Sequence, residues 1–175
     1  KYLDDGFMNP DYEVKAEDGW HDVDVPRSWT RYEDCGDWDY SIYTNTQMPW
    51  QEGDNPSVPQ APTNYNPVGF YRKEFTVKPS MLQDNGRVLI SFQGVESAYY
   101  VYVNGHEVGY SEDSYRPHEF DITDYLNPQG EVNTLAVKVH KFCDGTWMED
   151  QDMIYDGGFF RDVYLYSTPL VHISD

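Results

Sequence analysis

The chain has 175 residues, enough for one domain with a hydrophobic core of ordinary size. Its 31 acidic and 12 basic residues give a formal net charge of -19, which opposes binding to nucleic acid and to anionic membrane surfaces. No segment approaches about 18 consecutive apolar residues, so no membrane-spanning helix is predicted. We therefore expect neither nucleic acid nor a membrane as a partner.

The first part of the chain, residues 1–60, is rich in Asp, Pro, Trp and Tyr and shows no sustained hydrophobic period. This pattern predicts long loops with one or two short strands.

The rest of the chain shows the alternating pattern of half-buried strands. Asn104-Gly105 stands between two alternating runs, and this dipeptide supplies the positive φ angles of a two-residue hairpin turn. The other predicted strands are Val68–Pro79, the run with Val88, Ile90 and Phe92 on one face and Arg87, Ser91 and Gln93 on the other, residues 134–142, and residues 162–167.

Helix is predicted only as single turns, one capped by Ser80 and one capped by Thr123. Strands spaced by about 10 to 20 residues, with turn residues between them, predict an all-β antiparallel sandwich rather than an α/β fold. The eight βα repeats of a barrel are absent from the sequence, so chemistry that needs a barrel must come from elsewhere.

Cysteine and histidine patterns do not predict a metal site. Cys35 and Cys143 are far apart in sequence and lack metal-ligand spacing, so we expect both thiols to be reduced. The five histidines show neither HxH nor HxxxH spacing, which makes a zinc site improbable.

Longer strings of residues carry a family resemblance. In chain order they are VPRSWTRY (25–32), DYSIYTN (39–45), NPVGFYRKEF (66–75), ISFQGVESAYYVYVNGHEVGYSEDS (90–114), EFDITDYL (119–126) and DGTWMEDQDMIYDGGFFRDVYLY (144–166). They cover nearly the whole chain and resemble the N-terminal sugar-binding domain of bacterial glycoside hydrolase family 2 β-galactosidases.

The resemblance implies a domain organisation. Residues 1–175 would form one jelly-roll sandwich, similar to galactose-binding domains, and an immunoglobulin-like domain and a catalytic barrel would follow in the full-length enzyme. A Trp-rich strand usually precedes the position of Lys1 in this family, which would put the first strand of the sandwich outside this sequence.

The resemblance also implies an accessory role. A retaining glycosidase needs two carboxyl groups about 5 to 5.5 Å apart, and the family carries its catalytic glutamates on the barrel. Acid-rich strings occur here at Glu112-Asp113 and Glu149–Asp152, but adjacent carboxylates on a strand point to opposite faces. We therefore expect no catalytic residue and no hydrolysis from this chain alone. Two alternatives stay open: a stand-alone carbohydrate-binding module, or a purely structural domain that serves oligomer contacts.

Two residues are candidates for substrate binding. By resemblance, Asp152 at the end of EDQD reaches the galactoside pocket, contacts sugar hydroxyls and helps to ligate sodium in the full-length enzyme. Asn45, after IYT, would project toward the same pocket, where its amide can both donate to and accept from a hydroxyl. A surface loop acid and an Asx-turn residue are the simpler interpretations. After EDQDM the family commonly continues Trp-Arg, whereas Ile154, Tyr155 and Asp156 follow here, so substrate preference is expected to differ from lactose.

Trp29, Trp38 and Trp50 could stack on sugar rings, although core or loop-anchor packing is the commoner task of tryptophan. No cofactor is expected in this domain. For the full-length enzyme the resemblance implies sodium and magnesium, a galactoside substrate, contact with the catalytic barrel, homo-oligomerisation and a cytoplasmic location.

Overall fold

The computed structural model describes residues 6–32, 38–50, 53–149 and 152–173. Helix in these residues is of the 3-10 type only, at Ala16–Asp18, Trp29–Arg31, Pro79–Asn85, Thr123–Tyr125 and Asp144–Trp147. The strands are β1 (Arg27–Ser28), β2 (Ile42–Thr44), β3 (Val68–Phe75), β4 (Arg87–Phe92), β5 (Val95–Glu96), β6 (Ala98–Val103), β7 (His106–Ser111), β8 (His118–Asp121), β9 (Asn133–His140), β10 (Met153–Tyr155), β11 (Gly158–Phe159) and β12 (Val163–Thr168).

Two antiparallel sheets enclose the core. One has the order β3-β9-β6-β7 and the other the order β12-β4-β8. Alternate residues of the inner strands β4, β6 and β9 point into the space between the sheets, as the period of a strand requires. The buried side chains of this core include Val88, Ile90, Phe92, Tyr99, Val101, Val103, Val137 and Val139. The predicted all-β sandwich is thus present, and its strands fall where the alternating runs placed them.

The hairpin between β6 and β7 turns at Asn104-Gly105, as predicted. Both residues have positive φ, 51° for Asn104 and 83° for Gly105, which is the conformation that a type I′ turn requires. The Asn104 side chain also donates to the backbone oxygen of Tyr125 and to Oδ1 of Asn133, both at 2.8 Å. The turn is therefore tied to the 3-10 helix after β8 and to the first residue of β9.

Two local expectations were wrong. Lys78, not Ser80, precedes the 3-10 helix after β3. Thr123 lies inside its helical turn instead of capping it, and its hydroxyl accepts a hydrogen bond from the Val88 amide at 2.9 Å.

Ser91 was expected on a solvent-facing side of β4, but its side chain is fully buried. Its hydroxyl donates to Glu119 at 3.2 Å and accepts from Gln93 at 2.7 Å. These two longer side chains, one from the neighbouring strand β8, lie against Ser91 on that face and account for its burial.

Two smaller sheets join the loop-rich first part of the chain to its end. One has the order β1-β11-β5, and the other is the two-stranded pair of β2 and β10, which we call the β2–β10 ribbon. Strands β1 and β2 are the short strands that the sequence predicted for residues 1–60.

The sandwich is open along one side, where the edge strands β3 and β12 face each other. The core-facing side chains Tyr71, Phe75, Val163 and Leu165 are only half-buried, and a cleft of about 480 Å³ opens between the two strands. Among the described residues, no helix has the length and apolar character needed to cross a membrane.

Candidate functional site

The β2–β10 ribbon brings the two candidate sugar-binding residues to the same end of one ladder. Thr44 is paired with Met153 in antiparallel register. Asn45 directly follows Thr44 and Asp152 directly precedes Met153, and both side chains are exposed. Residues more than 100 positions apart in sequence are therefore neighbours in the fold.

The ribbon has an exposed outer face and a covered inner face. Tyr43 and Ile154, which are cross-strand partners, are 63% and 48% exposed. Asp152 lies two residues before Ile154 and therefore on the same face, where its Oδ1 accepts a hydrogen bond from the Tyr43 hydroxyl at 2.7 Å. This bond raises the pKa of Tyr43 above 10.0, because it stabilises the protonated phenol. On the inner face, Tyr155 is buried.

The end of the ribbon opposite to Asp152 is fixed by the carboxylate of Asp156, which directly follows β10. Its Oδ1 accepts from Thr30 Oγ1 at 2.7 Å and from the hydroxyl of Ser41, the residue before β2. Its Oδ2 accepts from Arg31 Nε at 3.0 Å and pairs with Nη2 at 2.9 Å. Burial by itself would raise the pKa of Asp156, but the bonds from Ser41, Thr30 and Arg31 outweigh it and hold the pKa below its ordinary 3.8. Asp156 thus joins both strands of the ribbon to the 3-10 helix after β1.

A buried ion pair supports the segment that leads into β2. The side chains of Lys141 and Asp39 are 0% and 2% exposed, and Lys141 Nζ lies 2.7 Å from Asp39 Oδ2. Lys141 also donates to the backbone oxygen of Tyr40 at 2.6 Å. Asp39 accepts further hydrogen bonds from Trp29 Nε1 and the Tyr65 hydroxyl. The buried carboxylate therefore has the donors that a buried charge requires.

The tryptophans mostly serve packing. Trp29 is buried in the core cluster, and Trp50 makes edge contacts with the rings of Phe142 and Trp147. Trp38 is 45% exposed, with its ring 4.8 Å from that of His21. Trp38 is therefore the one of the three candidates with enough free surface for sugar stacking.

Glu96 of β5 is a buried carboxyl behind the ribbon. Its Oε2 accepts the backbone N–H groups of Asp156 at 3.1 Å and Gly157 at 2.9 Å. Its Oε1 is buried and has no hydrogen-bond partner among the described residues. Burial raises the pKa of Glu96 from 4.5 to about 7, against the lowering effect of the two amides. Sequence reasoning missed this group, because its two partners lie 60 and 61 residues away.

A second cluster, also missed by sequence reasoning, joins Glu112, Cys143 and Asp144. One ligand atom of each lies within 4.8 Å of the others, and Cys143 is a free, buried thiol. A hydrogen bond with Asp144 raises the pKa of Glu112, and burial raises the pKa of the Cys143 thiol. Both groups would have to lose protons to bind a metal ion. Cys35 lies outside the described residues.

In the other acid-rich string, Glu149–Asp152, the two described carboxyl groups do not bond to each other. Glu149 accepts hydrogen bonds from the amide and the hydroxyl of Ser114, both at 2.9 Å, and so fixes the turn after β7. Asp150 lies outside the described residues. Two concavities of the described chain, of about 240 and 480 Å³, are lined by other residues than Asn45 and Asp152. The candidate site is an exposed face and not a closed pocket.

Comparison with known proteins identifies the domain type. Residues 7–169 match the family profile described as "Glycosyl hydrolases family 2, sugar binding domain". The chain belongs to this family. It is 51% identical to a β-galactosidase of Priestia megaterium over 169 residues, which are 97% of this chain and 15% of the relative. It is also 51% identical to a β-galactosidase of Clostridium acetobutylicum over 138 residues, 79% of this chain and 15% of the relative.

A solved structure supports the fold. A Bacteroides uniformis β-glucuronidase matches 94% of this chain and 16% of its own chain, with a TM-score of 0.65 and 20% identity. The family resemblance and the sandwich fold predicted from sequence are thus confirmed. The chain spans about 15% of the length of the curated relatives, and the roles of Asn45 and Asp152 stay predictions.

Proposed function

We propose that this sugar-binding domain is the accessory domain of a β-galactosidase and contributes the outer face of the β2–β10 ribbon to a galactoside pocket completed by a catalytic domain. Identity of 51% with two β-galactosidases supports the galactoside as substrate class. The acid and the nucleophile of a retaining glycosidase would lie on that catalytic domain, outside this chain.

The observation that carries the proposal is the position of Asn45 and Asp152 at one exposed end of the ribbon. A carboxylate accepts hydrogen bonds and an amide both donates and accepts, so the pair can bind neighbouring hydroxyls of one sugar. Neither residue is buried in a pocket of its own domain. An exposed polar pair next to the apolar side chains of Tyr43 and Ile154 suits a surface that another domain covers.

Asp152 fits a sodium site only in part. Hard cations prefer several oxygen ligands, and Asp152 offers one carboxylate with one oxygen already bonded to Tyr43. In the described part of the chain, the one group of three potential metal ligands does not include Asp152. The other ligands would therefore come from the catalytic domain. Bound sodium would supply a fixed positive charge for sugar oxygens, and the requirement for magnesium stays a prediction.

The test is Asp152→Asn in the full-length enzyme, since it keeps the size of the side chain but removes the charge. We expect kcat/KM to fall about ten- to a hundredfold, the scale of a hydrogen bond to a charged group, and the response to sodium to fall with it. Asn45→Ala should weaken galactoside binding with a smaller effect on the sodium response. Asp124→Asn, at an exposed acid of the 3-10 helix Thr123–Tyr125, is the matched control.

An Asp152→Asn enzyme with the parental kcat/KM and sodium response would refute the role of this face. Two further measurements separate the alternatives. Galactose binding by the isolated chain in calorimetry would indicate an independent binding module. Altered oligomerisation with unchanged kinetics would indicate a structural domain. Hydrolysis of a nitrophenyl galactoside by the isolated chain would contradict the accessory role.

A further inference from the structure

Among the described residues, the hydroxyl of Tyr43 donates a hydrogen bond to the carboxylate of Asp152. Its ring stands on β2 opposite Ile154, and its hydroxyl reaches diagonally across the ribbon to Asp152 Oδ1 at 2.7 Å. Diagonal neighbours on one face of an antiparallel pair are within reach of an aromatic side chain. Family membership alone assigns no role to this phenol.

We propose that Tyr43 is a positioning residue: its hydroxyl holds Oδ1 of Asp152, so that Oδ2 is presented to the galactoside in a fixed orientation. The proposal rests on the proposed function and adds a residue to it. Tyr43 acts through Asp152 and need not touch the sugar.

The contact solves a problem of orientation. An exposed aspartate on a strand end turns freely about two side-chain bonds, and ordering it on binding costs free energy. The Tyr43 ring belongs to a strand whose inner face is packed, so the phenol is held by the backbone of β2 rather than by a loop. A hydroxyl that donates to one carboxylate oxygen leaves the other free to accept from the substrate.

The same geometry explains why a tyrosine stands on this exposed face. At 63% exposure the Tyr43 ring gains little from burial in the sandwich, so packing within this domain does not account for it. The phenol donates in its neutral form, which a tyrosine keeps at neutral pH. The arrangement is therefore in place before substrate binds, which is the condition for a preorganised contact.

The experiment is a double-mutant cycle in the full-length enzyme with Tyr43→Phe and Asp152→Ala. Tyr43→Phe removes one exposed hydroxyl, so thermal unfolding should not change. We expect kcat/KM to fall about two- to tenfold, as for loss of one hydrogen bond, and the calorimetric Kd of a non-hydrolysed thiogalactoside to rise by a similar factor. In the Asp152→Ala background, Tyr43→Phe should have no further effect on either quantity. Tyr164→Phe, at an exposed tyrosine of β12, is the matched control.

Each result decides between the two proposals. If Asp152→Ala impairs the enzyme but Tyr43→Phe behaves like Tyr164→Phe, the positioning role is wrong and the proposed function stands. If Tyr43→Phe is equally harmful with and without Asp152, the phenol contacts the substrate by itself and positioning is again wrong. If Asp152→Ala has no effect, the proposed function fails, and the positioning role fails with it.

Discussion

Glu96→Gln is the change with the clearest expected effect on stability. The glutamate is buried, and its pKa is raised from 4.5 to about 7 by that burial. Glutamine has nearly the same shape and can still accept the amides of Asp156 and Gly157 through its oxygen. The substitution therefore removes the ionisation and keeps both hydrogen bonds.

The direction follows from proton linkage. Below pH 4.5 the carboxyl is protonated in the folded and unfolded chains, so ionisation has no effect on folding. As the pH rises from 4.5 to 7, the unfolded chain releases its proton while the folded chain keeps it, and the free energy of unfolding falls. The difference between the two pKa values, at about 1.4 kcal/mol per unit, corresponds to a loss of about 3 kcal/mol by pH 8.

The assay is urea unfolding of the wild-type chain and the variant between pH 4 and pH 8.5, followed by tryptophan fluorescence. Subtracting the two curves removes the contribution of the other acidic groups. We expect Glu96→Gln to gain about 3 kcal/mol relative to wild type across this range. Glu74→Gln, at an exposed carboxyl of β3, should run parallel to wild type. A difference that is constant with pH, or that favours wild type as the pH rises, would refute a buried carboxyl with a raised pKa.

Two other substitutions test the supports of the ribbon, both by urea unfolding. Lys141→Met leaves the Asp39 carboxylate buried without its cation and should lower the free energy of unfolding by about 3 to 5 kcal/mol. Adding Asp39→Asn should restore most of that loss, and no recovery would contradict the ion pair. Gly157→Ala would place a Cβ 2.3 Å from the Trp29 ring at a φ of 80° and should cost more than about 2 kcal/mol. Gly130→Ala is the control, because Gly130 has a φ of 88° and no atom within 4 Å of the added Cβ, so only the backbone contributes to its cost. Equal losses of unfolding free energy in the two variants would mean that the Trp29 contact is unimportant.

The sequence predicted the features that depend on neighbours along the chain. The turn at Asn104-Gly105 and the buried alternation of β4 follow from local rules of conformation and period. Lys141 was not predicted to be buried, because its partner Asp39 is 102 residues away and lies in a segment without periodicity. Asp156 was missed for the same reason. The strand predicted before Lys1 stays a prediction.

The same long-range contacts explain how an exposed ribbon can hold a site. A two-stranded pair of three residues each is marginal by itself, and the residues that carry the candidate chemistry lie just beyond its ends. Polar contacts fix the ribbon in place. Asp156 joins both strands to the 3-10 helix after β1, and Glu96 accepts the amides that follow β10. Lys141 donates to the backbone oxygen of Tyr40, two residues before β2. Hydrogen bonds between partly buried polar groups are stronger than bonds exposed to water and favour one geometry. We therefore expect that substitutions of these buried groups would alter the orientation of Asp152 although none of the groups contacts it directly.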